Sequence, residues 1–559
     1  MAKKENNFAS CKITVKSGDL PRDEYDGLMI ALFEGEDLPE KVFNDSKLQG
    51  DPASRIKELI KNKEIRGSFR EFTIVHVTTG KKVRRVIVMG LGKRDDAKFD
   101  MMGREKGHSD NLDHLRSVCA QAARTYRRIG VKRMIFMPDS VEGIPETDCA
   151  EAAAEGVIMG LSKFPKFTQK EYKLRPFEEL VLLVRNKSKL KESKEAAKRG
   201  ETLGRAVVAT RRIVNMPANI MSADGFEKEA KEVADSSKKI DMKVYREKDL
   251  KKMNYQGLLN VGAAGSQPPR LLELNYKGGT KSSSTICLVG KGVIYDSGGL
   301  GVKPNGGGAK MKYDMAGAAL MLGTLRAIKD LSLPVNVCCL LPLAENLIDR
   351  EAYRAGDILK MANGVCVEIH HTDAEGRLIL ADALCHAGKK SYDAIIDAAT
   401  LTGTVSMALG HVVTGLMGCN QELLSRISNA GIYRAERHWQ LPLFPEYGVH
   451  IKSTVADINN LGGRPAQTST AALFLKHFVP EDTPWAHLDI CGTAWIGEDT
   501  TQYFHKPYLP KRGATGHDVR TLAHTIEELV QDAKERNCSV KGLLMGGETK
   551  KKKSSKKKV

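Results

Sequence analysis

Short apolar runs rich in β-branched residues alternate with helix-like segments along most of the 559-residue chain. In the first third, VRRVIVMGLG (83–92) and MIFMPD (134–139) have the composition of buried strands. Between them, HLRSVCAQAARTYRRIG (114–130) has helical spacing of its apolar residues and a final glycine that predicts a helix end. Strands that alternate with helices in this way predict an α/β domain.

A polar, lysine-rich stretch separates this region from a second, larger α/β region. Residues 186–200 read NKSKLKESKEAAKRG and are predicted to connect a domain over 1–185 to a domain over 201–536. The second region contains a long helical pattern that ends at NMPAN, followed by strand candidates such as STICLVGKG, VNVCCLLPLA and YDAIIDAATLTG. The last residues, 537–559, include a block of seven lysines and are predicted to be disordered.

Composition excludes several classes of protein. No apolar run approaches the roughly 20 residues of a membrane-spanning helix, and the charged start MAKKENNF shows no secretory signal. The 11 cysteines form no CxxC pair, so we expect free thiols in the reducing cytoplasm. The net charge of +18 includes the lysine tail, which could contact nucleic acid, but no recognition motif is present and this partner is not favoured.

Familiar catalytic signatures are absent from the sequence. The chain contains no GKS or GKT phosphate loop, no GxGxxG after a strand, no HExxH and no GxSxG. These absences exclude the corresponding nucleotide-binding, metalloprotease and serine hydrolase signatures. The remaining candidates for chemistry are carboxylates, lysines and an arginine.

The stretch HTDAEGRLILADAL (371–384) places Asp373, Glu375 and Arg377 at alternate positions ahead of an apolar run. In an extended segment, side chains two apart point to the same side, so the three charges would line one surface. Adjacent carboxylates require a compensating positive charge, which Arg377 or a metal ion could supply. A solvated, salt-bridged loop at a strand end would explain the same pattern.

A second charged stretch follows an apolar strand. VGKGVIYDSGGLGVKP (289–304) carries Lys291, Asp296 and Lys303 around a double glycine, and buried charges need partners. Asp314 then begins the helix-like DMAGAALMLGTLRAI, where a helix N-cap would also explain an aspartate. Because ligands bind where strand ends of an open α/β sheet converge, the four carboxylates are predicted to meet there. Such oxygen-rich clusters favour Mg²⁺, Mn²⁺ or Zn²⁺, and two such ions can clamp a water and a carbonyl for hydrolysis.

Together these stretches resemble the leucine aminopeptidase family, which includes cytosol aminopeptidase and bacterial aminopeptidase A. The resemblance rests on VGKGVIYDSGGLGVKP, MKYDMAGAA, HTDAEGRLILADAL and AATLTG in this order, with further matches in NMPAN, PLAEN, WAHLDICGTAW and PYLPKRGATG. It is strong over residues 200–530 and looser before them. It implies a smaller N-terminal macro-like α/β domain and a larger catalytic α/β/α domain with a mixed, mostly parallel central sheet.

The resemblance implies a metal-dependent leucyl aminopeptidase that releases N-terminal amino acids from peptides. Two divalent ions per subunit, Mn²⁺, Zn²⁺ or Mg²⁺, would activate the water. Asp296 and Glu375 would bridge the ions, and the full set of ligands would be Lys291, Asp296, Asp314, Asp373 and Glu375. A lysine ligand must be neutral, so Lys291 would need a depressed pKa.

The resemblance also implies roles for groups beside the metals. Lys303 would stabilise the oxyanion, and Arg377 would hold a bicarbonate that acts as general base, with Leu401 near it. The pocket for the first side chain of a peptide with a free N-terminus would be lined by Met311, Thr400 and Gly403. The family forms homohexamers and needs no membrane.

The chain departs from the family pattern without losing a catalytic group. His371 stands where asparagine is usual, and a hydrogen bond in place of asparagine's is the favoured interpretation. A titratable group near the metals and a perturbed metal are the alternatives. Other departures are Ala316 for glycine, Cys491 for alanine, missing prolines at Ile348 and Ala355, and an inserted Arg512.

Two other functions compete with the peptidase interpretation. A catalytically silent structural protein of the same fold would be favoured by loss of a ligand, of Lys303 or of Arg377, and all of these are present. A DNA-binding role, which bacterial relatives combine with peptidase activity, is compatible with the positive charge. A salt-dependent shift with duplex DNA, with and without the tail, would distinguish that role.

Overall fold

The computed structural model describes residues 11–18, 26–39, 51–79, 82–95, 97–100, 103–163, 167, 175–304, 307–497 and 506–546. These residues divide into two units. The first contains those within Met1–Ala209, Tyr433–Ala435 and Phe504–Lys511, and the second contains those within Thr210–Ile432, Glu436–Tyr503 and Arg512–Val559. The change of unit at Ala209 lies inside the helix Leu190–Asn215, whereas the sequence predicts a connection at 186–200.

The first unit is built on a six-stranded sheet. Its strands are β1 (Lys12–Ser17), β2 (Gly27–Phe33), β3 (Phe72–Thr79), β4 (Lys82–Gly92), β5 (Arg133–Phe136) and β6 (Glu179–Val184). They lie in the order β1-β6-β5-β2-β4-β3, and β3 is the strand that runs antiparallel to its neighbour. The α-helices of this part of the chain are Asp51–Lys61, Ser109–Ile129, Glu146–Leu161 and the start of Leu190–Asn215.

The elements predicted in this unit are confirmed in type, but the strand predicted over 134–139 ends at Phe136, and Pro138–Ser140 forms a 3₁₀ turn. The run 83–92 forms most of β4, and the run 114–130 lies in the helix Ser109–Ile129. Gly130 ends that helix in the left-handed conformation, at a φ of 85°, which explains the glycine at that position. The sheet has apolar clusters on both faces, because alternate residues of the fully buried β2 belong to different clusters.

A buried charge cluster in the first unit leads to a prediction about acid stability. Asp113 accepts a hydrogen bond from Tyr508 Oη at 2.7 Å and contacts Lys506 Nζ at 2.9 Å and Arg116 Nη1 at 3.0 Å. Burial opposes the carboxylate charge, but Lys506 and Arg116 outweigh it and hold the pKa of Asp113 at about 2, below the ordinary 3.8. The charge therefore stabilises the fold above the unfolded pKa, and this contribution is lost as the pH falls through the folded pKa.

We therefore expect Asp113→Asn to reduce the free energy of unfolding by about 2 kcal/mol at pH 7. The difference from wild type should shrink towards pH 2, where the wild-type carboxyl is itself being protonated. Urea denaturation at several pH values measures both effects, with Asp110→Asn on the same helix as the matched control. An equal loss at every pH would contradict the electrostatic explanation.

The second unit is built on a nine-stranded sheet with two smaller sheets beside it. The strands, in chain order, are β7 (Ile240–Tyr245), β8 (Arg270–Lys277), β9 (Thr285–Gly290), β10 (Gly292–Asp296), β11 (Asn336–Asn346), β12 (Ile358–Lys360), β13 (Cys366–Glu368), β14 (Ala394–Ala399), β15 (Val413–Gly418), β16 (Arg437–Gln440), β17 (Ile458–Asn459), β18 (Trp485–Asp489), β19 (Trp495–Ile496) and β20 (Gly513–Ala514). The main sheet has the order β16-β15-β18-β14-β9-β11-β8-β7, and β10 pairs with β11. Its pairs are mostly parallel, with β7–β8, β8–β11 and β15–β18 antiparallel, so the predicted mixed sheet is confirmed.

Helices cover this sheet and place its charged groups. In chain order they are Ala223–Asp235, Glu247–Met253, Gln256–Val261, Ala316–Asp330, Gly376–Ala387, Gly403–Leu409, Gln421–Tyr433, Gln467–Lys476, Val519–Glu535 and Val540–Leu544. All residues of Gly376–Ala387, the helix that contains the apolar run after the acidic motif, are buried. Within the described residues, no helix is both long and apolar enough to cross a membrane.

The predicted disordered tail begins with an ordered segment. Val540–Leu544 is a helix whose N-cap, Ser539, accepts a hydrogen bond from Gly542 N at 3.0 Å. Its Val540, Leu543 and Leu544 are buried, and burial of these apolar side chains accounts for the order. The lysine block itself lies outside the described residues.

Candidate functional site

The carboxyl ends of the central parallel strands place the first predicted site residues. Lys291 directly follows β9, Thr400 directly follows β14, and Asp296 is the last residue of β10. The strands β9 and β14 are neighbours and parallel, so their carboxyl ends reach the same edge of the sheet. The sequence predicts that site residues meet where the strands end, and these three residues lie at such ends.

Two remaining carboxylates come from helix starts. Asp314 lies near the end of a 3₁₀ segment, Gly307–Met315, that leads into Ala316–Asp330. Glu375 immediately precedes Gly376–Ala387. The oxygens of Asp296, Asp314 and Glu375 lie within 4.8 Å of one another, and all three residues are buried.

Two lysines interleave with these acids. Lys291 Nζ lies 2.9 Å from Asp314 Oδ2 and from Glu375 Oε1, and it donates to the Thr400 carbonyl oxygen at 2.9 Å. Lys303 Nζ lies 2.6 Å from Asp296 Oδ2 and 2.5 Å from Asp373 Oδ1. The five predicted ligands and Lys303 therefore form one cluster, while their roles as ligands stay predictions.

Neutral hydrogen-bond donors orient the acids. Asn346 Nδ2 donates to Asp296 Oδ1 at 2.8 Å, and Gly298 N donates to the same oxygen at 2.9 Å. Thr400 Oγ1 donates to Asp314 Oδ1 at 2.6 Å. The opposite oxygens of these carboxylates are thereby directed towards the lysines.

The electrostatics of the cluster favour the binding of cations. Burial, and then repulsion by Glu375 and Asp314, raise the pKa of Asp296 well above its ordinary value. Burial also raises the pKa of Asp314, to about 6. A raised pKa means that these carboxyls ionise less readily than usual. A divalent cation beside them would stabilise the carboxylate form and so favour loss of the proton.

The pKa of Lys291 is raised, whereas the role of a metal ligand predicts a depressed pKa. Burial disfavours its ammonium, but the carboxylates of Asp314 and Glu375 outweigh burial and raise its pKa above the ordinary value. Among protein groups alone, Lys291 is therefore a cation that bridges two acids. The depressed pKa expected of a lysine ligand requires positive ions beside it, because the surrounding acids act in the opposite direction.

The donor set fits hard or borderline divalent metals. Carboxylate oxygens dominate it, which matches the preference of Mg²⁺ and Mn²⁺, and a lysine nitrogen suits a borderline ion such as Zn²⁺. Glu375 Oε2 is buried and makes no hydrogen bond to any described residue. A buried carboxylate oxygen without a partner is costly, and coordination of a cation would satisfy it.

Two glycines make room for this arrangement. A Cβ on Gly376 would lie 2.5 Å from Lys291 Nζ, so a side chain at Gly376 would displace the lysine from Glu375. Gly298 has a φ of +90°, and a Cβ there would lie 2.5 Å from the Gly301 carbonyl oxygen. The double glycine of the second charged stretch thus forms the turn that returns Lys303 to Asp296.

Arg377 is placed differently from the extended geometry considered for its motif. Glu375 has helical φ and ψ, and the helix begins at Gly376, so the alternate charges do not line a strand. Arg377 is buried, donates from Nη1 to the Asn460 carbonyl oxygen at 2.8 Å, and has no described hydrogen-bond partner for Nε. Burial lowers its pKa to about 10, which leaves the guanidinium charged.

His371 makes the hydrogen bond that the sequence favoured. Its Nδ1 accepts from Asp373 N at 3.0 Å, the type of local bond that an asparagine oxygen makes to the amide two residues later. Asn460 supports the same turn, because its Oδ1 accepts from His371 N at 3.2 Å and its Nδ2 donates to His371 O at 2.8 Å. Sequence reasoning missed Asn460, which no charged motif contains.

The structure shows the burial and contacts of the residues that are predicted to line a substrate pocket. Thr400 is buried and bonds to both Asp314 and Lys291. Gly403 is exposed at the start of Gly403–Leu409, and a Cβ there would meet nothing within 4 Å. Met311 is half-buried in the 3₁₀ segment that carries Asp314, and Leu401 N donates to Asp489 Oδ1 at 3.2 Å. Their roles in binding substrate stay predictions.

Comparison with known families decides the kinship of the chain. The family description "Cytosol aminopeptidase family, catalytic domain" matches residues 208–523, and "Cytosol aminopeptidase family, N-terminal domain" matches residues 29–171. The chain belongs to the cytosol aminopeptidase family. This confirms the resemblance inferred from the motifs and places the chain among aminopeptidases, which are hydrolases.

Individual relatives of the cytosol aminopeptidase family cover almost the whole chain. A probable cytosol aminopeptidase of Syntrophotalea carbinolica is 37% identical over 90% of this chain and 97% of its own length. One from Roseiflexus castenholzii is 36% identical over 93% of this chain and 100% of its own. The likeness therefore extends over both units.

Solved structures agree with this kinship. A mutant of tomato leucine aminopeptidase has a TM-score of 0.77 at 28% identity, covering 93% of this chain and 97% of that one. The bottromycin maturation enzyme BotP in complex with Mn has a TM-score of 0.76 at 30% identity, covering 90% and 100%. The two-unit α/β architecture is thus that of the family.

Proposed function

We propose that this protein is a metal-dependent leucyl aminopeptidase that removes N-terminal residues from peptides. The observation that carries the proposal is the buried cluster of Asp296, Asp314 and Glu375, interleaved with Lys291 and Lys303. Family membership supports the aminopeptidase activity, and the donor set supports the dependence on metal. The similar enzyme BotP forms a complex with Mn, and this likeness supports Mn²⁺ as one candidate here.

Two divalent ions, Mn²⁺, Zn²⁺ or Mg²⁺, would be held by Lys291, Asp296, Asp314, Asp373 and Glu375. When bound, they would polarise the scissile carbonyl, activate water and accept the free α-amine of the substrate. The amine requirement explains why such a site would act on chain ends, since an internal peptide bond offers no amine.

Two cationic side chains, Lys303 and Arg377, would assist hydrolysis beside the metals. Lys303 is held by Asp296 and Asp373 and is about one-fifth exposed, so its ammonium is both positioned and accessible to the developing oxyanion. The Arg377 guanidinium would hold a bicarbonate that takes a proton from the attacking water, with Leu401 beside it. The Arg377 Nε that lacks a described partner is a donor available to such an anion.

The family likeness supports the proposals for substrate selection and assembly. Met311, Thr400 and Gly403 would line the pocket for the first side chain, and the lack of neighbours around Gly403 supports open space there. A homohexamer in the cytoplasm is the expected form. The side chains of Phe444, Val449 and Val455 are apolar and exposed, and burial of such groups between subunits would favour association.

Hydrolysis of a leucyl-arylamide by the purified protein tests the proposal. We expect turnover with Mn²⁺, loss after treatment with a chelator, and recovery when metal is returned. An N-acetyl-leucyl-arylamide, which lacks the free amine, is the matched control and should not be cleaved. Absence of turnover with Mn²⁺, Zn²⁺ and Mg²⁺ in a folded protein would refute the proposal, and cleavage of the acetylated control would refute the exopeptidase mechanism.

A further inference from the structure

One buried carboxylate, that of Asp489, holds the turn that follows β14. Asp489 is the last residue of β18 and lies opposite Ala399, the last residue of the parallel strand β14. Its Oδ1 accepts hydrogen bonds from Leu401 N and Cys491 N, both at 3.2 Å. Its Oδ2 accepts from Thr402 N at 3.2 Å and from Thr402 Oγ1 at 2.6 Å. The carboxylate therefore fixes the amides of two consecutive residues of the turn.

Thr400, which precedes these two residues, contacts the cluster of acids and lysines directly. Its carbonyl oxygen accepts a hydrogen bond from Lys291 Nζ at 2.9 Å, and its Oγ1 donates to Asp314 Oδ1 at 2.6 Å. The Thr400 carbonyl and the Leu401 N–H belong to the same planar peptide unit and point in opposite directions. Asp489 and Lys291 thus bind the two ends of one peptide group.

This shared peptide group couples the position of Asp489 to that of Lys291. Because the unit is rigid, the bond from Leu401 N to Asp489 sets the direction of the Thr400 carbonyl. Hydrogen bonds in a chain also polarise one another, so an anion at the N–H end makes the carbonyl oxygen a better acceptor. The proposed role of Lys291 needs its nitrogen to direct a lone pair at a metal, and the bond to Thr400 limits rotation of that nitrogen.

We propose that Asp489 is a positioning residue for the proposed metal ligands Lys291 and Asp314 and acts on them through Thr400, an inference that rests on the proposed function. A carboxylate suits this role because both of its oxygens are acceptors, whereas an asparagine has one acceptor and one donor group. An asparagine amide at this position would face either the amides of Leu401 and Cys491 or that of Thr402. Two donors in contact leave both unpaired, so the turn would shift.

Mn²⁺ affinity, measured by calorimetric titration of the full-length chain after removal of bound metal, tests the inference without turnover. We expect Asp489→Asn to bind Mn²⁺ about tenfold more weakly and to lower kcat by a similar factor, as loss of a group that orients metal ligands does. Thr402→Val, which removes the hydroxyl bond to Asp489 Oδ2 at nearly constant size, should lower the affinity less. It serves if Asp489→Asn does not fold.

Thr468→Val is the matched control. Thr468 is buried, and its Oγ1 contacts Thr402 Oγ1 and Thr404 Oγ1, each at 2.9 Å, so it belongs to the same group of hydroxyls one step away from Asp489. Its replacement should lower the free energy of unfolding, because buried hydroxyls lose a partner. Its Mn²⁺ affinity and kcat should stay within about twofold of wild type, since the bonds of Asp489 itself are kept.

A double variant tests whether Asp489 acts through Thr400. Thr400→Val removes the hydroxyl bond to Asp314, so Asp489→Asn should cost less Mn²⁺ affinity in this background than in the wild type. Losses that multiply in full would overturn the inference. Unchanged Mn²⁺ affinity in Asp489→Asn, or in Thr402→Val where it replaces that variant, would also overturn it, and so would an equal loss in Thr468→Val. A wild type that binds Mn²⁺ but hydrolyses no arylamide would instead refute the proposed function.

Discussion

Replacement of Glu375 by glutamine is expected to lower arylamide hydrolysis by at least about a thousandfold. Glu375 shares one oxygen with Lys291, and its second oxygen is buried without a described hydrogen-bond partner. An amide in that place would present a donor or a weaker acceptor to the cations and would leave Lys291 with one fewer acid. Loss of metal-assisted stabilisation is worth several kcal/mol, which corresponds to about three orders of magnitude in rate.

The measurement combines kcat/KM with metal content after gel filtration. Glu375→Gln should retain fewer divalent ions per subunit than wild type. Glu368→Gln is the matched control, because Glu368 lies on β13 in the same unit and bonds to Ser453 Oγ, outside the carboxylate cluster. Wild-type turnover by Glu375→Gln would show that the cluster is not the catalytic centre.

Replacement of Lys303 by methionine is expected to lower kcat by about 10²–10³ while leaving the metals in place. Lys303 contacts Asp296 and Asp373 from the more exposed side of the cluster. Methionine keeps an unbranched side chain as far as the ε position and lacks the ammonium. The loss should fall on kcat more than on KM, because an oxyanion forms only in the transition state.

Lys310→Met is the matched control for Lys303. Lys310 is exposed in the 3₁₀ segment that leads to Asp314, so its charge is close in sequence but outside the cluster. Unchanged metal content with a loss of kcat in Lys303→Met alone would support the oxyanion role. Loss of bound metal in Lys303→Met would assign the lysine to holding the carboxylates instead.

The sequence predicts those parts of the site that depend on strand ends. Lys291, Asp296 and Thr400 follow or end apolar strands, and parallel strands bring such positions to one edge whatever the details of the loops. Asp489 ends another apolar strand, but nothing in its motif shows that its carboxylate would accept the amides of Leu401 and Thr402. That role depends on a turn that lies 88 and 87 positions away in sequence.

Other features could not be read from the sequence because they depend on contacts between distant segments. Asn346 donates to Asp296 across 50 positions, and Asn460 accepts a bond from Arg377 across 83. The alternate spacing of Asp373, Glu375 and Arg377 fits a strand as well as a turn that enters a helix. The change of unit at Ala209 falls within a continuous helix, and the connection predicted at 186–200 stays a prediction.

The complete burial of Gly376–Ala387 has a consequence for how this chain can acquire new substrate preferences. A helix without a solvent-facing side tolerates few substitutions, since each change of volume is transmitted to closely packed neighbours. Glu375 and Arg377, which are proposed to hold a metal and an anion, lie at its start, so such changes would reach them. Libraries designed to change substrate preference should therefore vary the accessible Gly403–Leu409 helix, because Gly403 is proposed to line the substrate pocket and has open space, and Met407 is 84% exposed.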